Sequence, residues 1–164
     1  MANGIGRAHG TMRIRRASTE DLGRILAIEA VSFPDPWPEE FFYLYLDDVD
    51  SIVLVSEAEE VLGFLIAVVE DDPQGNPVVH IHDLAVDPAH RRRGVATALL
   101  DELIRIAREQ GIRILRLEVR FDNPEARAFY QHHGFRETGC IPLYYEDGGD
   151  AYLMERDLSA SQPR

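Results

Sequence analysis

Three groups of residues in this 164-residue chain have the types and spacing of a reaction centre. The first is Arg91-Arg92-Arg93-Gly94-Val95-Ala96-Thr97, where three consecutive cations run into small residues at the start of a segment with helical periodicity. A helix N-terminus offers unpaired N–H groups and the positive end of the macrodipole, so phosphate binds there without a dedicated side chain. Gly94 and Ala96 let a diphosphate approach the backbone, and the arginines add charge-assisted hydrogen bonds. The second group is His80 and His82, two residues apart and so on one face of a strand. Two histidines with no third ligand nearby in the chain do not make a metal site, and no metal is expected; they read as a substrate-facing or surface pair. The third is Glu118, the one acid in the apolar stretch from Ile112 to Val119. A carboxylate in such a strand has either a partner and a purpose or a place on the solvent face. Cys140 raises a covalent route through a cysteine intermediate, but nothing basic precedes it closely enough to lower its pKa. It reads as an inert buried hydrophobe.

The elements that would hold these groups follow from periodicity and punctuation. Met12 to Ala17 predicts a strand, and Ser18 with Asp21 forms a capping box opening a helix through Leu22, Ile25, Leu26 and Ile28. The prolines of Phe33-Pro34-Asp35-Pro36-Trp37-Pro38 forbid helix there, and a short helix with Phe41, Phe42, Leu44 and Tyr45 starts at Pro38. Residues 51–57 and 61–70 predict a hairpin, and 78–86 a strand ended by Asp87-Pro88. A long helix from about Gly94 to Gln110 stops at Gly111, followed by a strand over 112–119. Asn123-Pro124 opens another helix with the stripe Ala126, Phe129 and Tyr130, which Gly134 ends. Residues 135–141 and 151–158 close the chain as strands around Gly148-Gly149. The order β-α-α-β-β-β-α-β-α-β-β is a mixed α/β domain over 12–158, with 1–11 a disordered extension or cloning remnant and 159–164 a flexible tail.

Composition excludes several functions. The net charge is -12, and all 17 basic residues are arginine. Without lysine there is no P-loop and no protein Schiff base. One cysteine excludes a disulfide framework and Cys-rich zinc or iron–sulfur sites. No apolar run spans a bilayer and no apolar h-region begins the chain, so a soluble cytoplasmic protein is expected. From Glu20 to Asp72 there are 15 acids against Arg24 alone, whereas 73–136 holds 10 arginines and 8 acids. This asymmetry suits a two-ligand protein, with neither nucleic acid nor membrane as partner. A monomer or weak homodimer is expected.

Arg91-Arg92-Arg93-Gly94-Val95-Ala96 resembles the acetyl-CoA signature (Gln/Arg)-x-x-Gly-x-(Gly/Ala) of the Gcn5-related N-acetyltransferases. The downstream run Asn123-Pro-Glu-Ala-Arg-Ala-Phe-Tyr130-Gln-His-His-Gly134-Phe135 is similar to that family's second pattern. Within the family the chain looks most like the archaeal protein N-terminal acetyltransferases and the bacterial RimI type. The residues carrying this are Leu117-Glu118-Val119-Arg120, Phe33-Pro34, Tyr144-Tyr145 and Asp150 to Met154. The resemblance implies a central mixed sheet of about seven strands with four helices, splayed between the fourth and fifth strands. The pantetheine arm of acetyl-CoA would lie in that gap, pairing with Leu84, Ala85 and Val86. Arg91 to Thr97, with Asn123 and Tyr130, would complete the cofactor site. The resemblance makes His80 and Glu118 a joint base acting through water, and Tyr130 the acid toward the thiolate. A backbone N–H near Val86 would serve the oxyanion.

Direct attack in a ternary complex is the expected route. A peptide α-amine has a pKa of about 7.7–8.0, so deprotonating it at neutral pH costs only about 1 kcal/mol and a weak base suffices. The acidic first half and the aromatic loop suit a cationic peptide end. Phe33, Pro34, Trp37, His82, Tyr144 and Tyr145 are the expected substrate contacts, the tyrosines resembling a hairpin that narrows the groove around a protein N-terminus, such as that of a ribosomal protein. Two other readings stay open: acetylation of a small amine (polyamine, aminoglycoside or amino acid), and a non-catalytic acyl-CoA sensor.

Overall fold

In the computed structural model residues 12–159 are described. The expected extension 1–11, and all of the expected tail after Ser159, lie outside them. The elements are β1 (Arg13–Arg16), α1 (Leu22–Ser32), α2 (Glu39–Asp47), β2 (Ser51–Glu57), β3 (Val61–Asp71), β4 (Pro77–Val86), α3 (Val95–Glu109), β5 (Ile114–Arg120), α4 (Pro124–His132), β6 (Arg136–Ile141) and β7 (Ala151–Asp157), with 3-10 turns at Thr19–Asp21 and Pro88–His90. The expected order of strands and helices is therefore found, with boundaries shifted by a residue or two. The strands form one mixed sheet in the order β1-β2-β3-β4-β5-β7-β6. Among the described residues no helix is long and apolar enough to cross a membrane.

The chain packs as two compact units, one of residues up to Val68 with Asp83–Ile106, the other of Val69–His82 with the chain from Ala107 onward. In the first, Ser18 and Asp21 form the expected capping box, and Arg15 grips both Asp21 oxygens at 2.8 Å. Ile25, Ile28 and Phe42 from α1 and α2 bury against Val53, Val55, Phe64 and Ile66 of β2 and β3. Burying side chains of this size contributes about 1.5–3 kcal/mol each. Gly63 lets β3 pass close to β4 and α3, since a Cβ there would meet the Ala85 carbonyl oxygen at 2.9 Å and the Val95 side chain at 3.0 Å. The start of α3 is thus fixed against β3.

In the second unit β4 and β5 pair in parallel through Val78↔Ile114, Val79↔Leu115 and His80↔Arg116, where the register ends. Strand β5 then pairs antiparallel with β7 over its whole length. Alternation buries Leu115, Leu117 and Val119 and puts Arg116, Glu118 and Arg120 on the opposite face. On β4, His80 and His82 share the half-buried face, while Ile81 is buried behind them. These two patterns aim the histidines and Glu118 to the same side of the sheet.

The pairing of β6 with β7 leaves β6 at the sheet edge, nearly all of it exposed. Cys140 is therefore exposed, contrary to the buried position expected of it. Phe41, expected on the apolar stripe of α2, is also exposed, as is Leu44. The helix is held instead by Phe42 and, less deeply, Tyr45.

One buried polar pair in the first unit has a measurable consequence. Glu29 of α1 is 2% exposed and Asp83, on the buried face of β4, is 8% exposed. Glu29 Oε2 accepts the Trp37 N–H at 3.0 Å, whereas Glu29 Oε1 and Asp83 Oδ2 meet no N–H or hydroxyl donor. Burial first, then the hydrogen bond and charge of Glu29, hold the Asp83 carboxyl well above its ordinary value. A raised carboxyl favours the fold at low pH, and that contribution is lost as pH rises through the raised value. Asp83→Asn, whose amide donates permanently to Glu29, is expected to flatten the decline in stability that sets in as pH rises above the ordinary carboxylate value. A hydrogen bond to a charged group contributes about 1.5–3 kcal/mol. Urea midpoints at ascending pH check this, and an equally steep decline in the variant contradicts it.

Candidate active site

The turn expected to bind phosphate is shaped by backbone conformation as well as by charge. After β4 the Asp87 side chain accepts the Ala89 N–H at 3.0 Å and caps the Pro88–His90 turn. Arg24 holds the other Asp87 oxygen at 2.8 Å. Arg92 and Gly94 then adopt positive φ, 65° and 77°, immediately before α3. A non-glycine residue in that region is uncommon and marks a turn whose shape matters. Where successive residues alternate in helical sign, their N–H groups can converge on an anion. A Cβ at Gly94 would meet nothing within 4 Å, so the space above the backbone is open. Arg91, Arg92 and Arg93 are exposed around it, and Val95, Ala96 and Thr97 form the first turn of α3.

The second unit holds the titratable cluster. His80 Nε2 lies 2.6 Å from Glu118 Oε2, and the two side chains are 13% and 14% exposed. The chain brings together the two residues expected to form the base. Glu118 occupies the polar face of β5, yet it is not a solvent-facing acid, because His80 covers it. Burial opposes the charge on His80, but the hydrogen bond and charge of Glu118, then of Glu70, hold its pKa above the ordinary value. His82 is held below it, by burial first and then by neighbouring His80.

Two further residues belong to this cluster and were not found in the sequence. Glu70 of β3 lies 3.2 Å from His80 Nδ1 and 3.3 Å from His82 Nε2. Arg116 of β5 donates to Glu70 Oε2 at 2.9 Å. Glu70 closes the apolar run of β3, and only the pairing of strands reveals what it faces. Burial raises its pKa, but His80 and His82 outweigh that and leave it lowered.

Other expected site residues are placed as follows. Leu84 and Val86 share the half-buried face of β4, and Ala85 is buried. Asn123 caps α4, accepting the Ala126 N–H at 3.1 Å. Tyr130 is buried, its ring 5.2 Å from Phe129 and 5.3 Å from Phe135, so it also packs as part of the helix stripe. Phe33 and Trp37 pack against the core of the first unit, Trp37 stacking on Tyr45 at 5.7 Å, and Pro34 is exposed. Tyr144 and Tyr145 sit in the β6–β7 connection with rings 5.0 Å apart. Burial first, then Glu118, raises the Tyr144 pKa, while Tyr145, under the Arg120 guanidinium at 4.4 Å, is pushed up to about 12, mainly by burial. Both therefore stay neutral hydrogen-bonding phenols at physiological pH.

A sequence profile described as the acetyltransferase (GNAT) family matches residues 22–135. An N-alpha-acetyltransferase of Sulfurisphaera tokodaii is 32% identical over 155 residues, covering 89% of this chain and 93% of that protein. The crystal structure of the ribosomal-protein-S18-alanine N-acetyltransferase from Escherichia coli superposes with a TM-score of 0.78 at 28% identity, covering 92% of this chain and 96% of that one. The structure of Ard1 from Thermoplasma volcanium gives 0.80 at 31% identity, covering 90% and 97%.

Proposed function

The chain belongs to the acetyltransferase (GNAT) family and is an acetyl-CoA-dependent N-acetyltransferase, and from that premise we propose that its acceptor is the N-terminal α-amine of a protein. The observation that carries this is the 2.6 Å hydrogen bond between His80 and Glu118 on the polar face of the sheet. An acyl-CoA sensor needs no such pair. Relatives named for N-alpha-acetylation, and one named for the alanine of ribosomal protein S18, support the α-amine as acceptor and make a ribosomal protein the substrate to try first.

The residues of the α3 turn fit acetyl-CoA: an open cradle at Gly94, positive φ at Arg92 and Gly94, and three exposed arginines can hold a diphosphate. Backbone groups of Leu84, Ala85 and Val86 would pair with the pantetheine arm. Bound acetyl-CoA supplies an acetyl thioester whose carbonyl is open to attack by an amine.

Glu118 accepts the proton that the attacking amine must lose, directly or through a water, and His80 orients the carboxylate and shares the charge. A backbone N–H near Val86 would be the donor to the carbonyl oxygen under attack. The Tyr130 hydroxyl would supply the proton that the thiol of CoA needs to leave. Glu70 and Arg116 are positioning residues, fixing the His80 ring through Nδ1. Tyr144, Tyr145 and His82 are the acceptor contacts proposed on the second unit, and Phe33, Pro34 and Trp37 those proposed on the first.

Two peptides test the acceptor class. One has a free N-terminus and no lysine; the other is blocked at the N-terminus and carries an internal lysine. CoA release with the first alone is expected, and faster release with the second overturns the reading.

A further inference from the structure

Glu70, His80 and His82 present one donor atom each within 4.8 Å of one another. Glu70 Oε1 is 3.2 Å from His80 Nδ1 and 3.3 Å from His82 Nε2. Donors about 2.0–2.1 Å from a tetrahedral zinc lie about 3.3 Å apart, so two of the three edges already have the required length and the third lies within 4.8 Å. Two imidazoles and one carboxylate, with a water in the fourth position, form a donor set that zinc uses and that calcium and magnesium do not. The third ligand that the sequence did not offer is supplied by the neighbouring strand.

The surroundings agree. His80 uses Nδ1 toward this point, and its other nitrogen faces Glu118 at 2.6 Å. A metal-bound histidine commonly donates its second N–H to a carboxylate, which fixes the tautomer. Arg116 bonds the Oε2 atom of Glu70 at 2.9 Å, holding the carboxylate in place and leaving Oε1 as a single donor. The side chains of His80, His82 and Glu70 are 13%, 23% and 31% exposed, so an ion can reach them. In the other cluster of this kind, Glu60, Asp87 and His90, Arg24 contacts both carboxylates, Asp87 at 2.8 Å and Glu60 at 3.6 Å, whereas Arg116 contacts the one carboxylate of the first.

We propose that Glu70 Oε1, His80 Nδ1 and His82 Nε2 form a binding site for zinc, and that the bound ion inhibits acetyl transfer. The site stands on geometry alone; the inhibition rests on the base assignment above. With Nδ1 on the metal, His80 keeps a proton on Nε2 and donates it permanently to Glu118. The ion's positive charge behind His80 then opposes the arrival of a further proton at Glu118, which takes the amine proton less readily.

The test uses the full chain stripped with a chelator and then titrated with zinc alone against a chromophoric competitor. One equivalent is expected to bind, and cobalt in its place is expected to give the intense visible bands of a tetrahedral site. His82→Ala and Glu70→Gln should each weaken zinc by at least about tenfold, since losing even an outer-shell partner costs that much. Folding of each variant is checked by circular dichroism, and the wild-type cobalt spectrum decides without them. No saturable single equivalent, or unchanged affinity in both folded variants, overturns the site. Initial acetylation rates, read before free CoA thiol accumulates, should fall as zinc is added and recover with chelator. Bound zinc with undiminished turnover overturns the inhibition. Zinc binding by a protein that acetylates no N-terminus strikes the proposed function and leaves the site standing.

Discussion

Replacing Glu118 with glutamine is expected to lower kcat for peptide acetylation by about a hundredfold, near the low end of what a positioned base contributes. The low end is expected because an α-amine is already partly neutral in solution near pH 7.5, so the base removes only a modest barrier. Glutamine keeps the shape of the side chain, and its carbonyl can still accept from His80 Nε2, now 2.6 Å from the carboxylate. What disappears is the capacity to take a proton. Acetyl-CoA affinity, read by calorimetry, should therefore stay within a few-fold of wild type. Unchanged kcat removes Glu118 from the chemistry, and a matching fall in acetyl-CoA affinity makes its role structural.

Gly94→Val is expected to raise the KM for acetyl-CoA by at least about tenfold, equivalent to about 1.4 kcal/mol. At φ 77° a valine is strained, by about 1–3 kcal/mol. Nothing lies within 4 Å of the new Cβ, so the protein does not obstruct it. Relief comes by changing the turn, which turns the N–H groups away from the anion, or the turn is kept and the branched side chain fills the space above it. Both routes weaken cofactor binding and leave kcat at saturating acetyl-CoA within a few-fold. An unchanged KM contradicts the diphosphate role of this turn.

Local chemistry made most of the fold legible. The capping box at Ser18 and Asp21, the prolines from Pro34 to Pro38, Gly111 after α3 and Asn123-Pro124 before α4 each act over a few residues, and each was placed correctly. What sequence could not supply was the partner across the sheet. Glu70 and Arg116 are 46 positions apart and become neighbours only because β3, β4 and β5 lie side by side. The Glu29–Asp83 pair is hidden for the same reason. Cys140 fails differently: a lone cysteine on a closing strand reads as a buried hydrophobe, but β7 inserts between its strand and β5 and leaves β6 at the edge. His80 and Glu118 are paired in the sequence through the family resemblance, and parallel, alternating strands are what bring the two side chains to one face.

The most direct measurement offers one peptide carrying both a free N-terminus and an internal lysine, together with an equal amount of spermidine, to the enzyme and acetyl-CoA. Tandem mass spectrometry then locates the acetyl group. The account predicts acetyl on the peptide α-nitrogen, with the lysine and the polyamine left unmodified. Acetylspermidine or acetyl-lysine as the main product would contradict it.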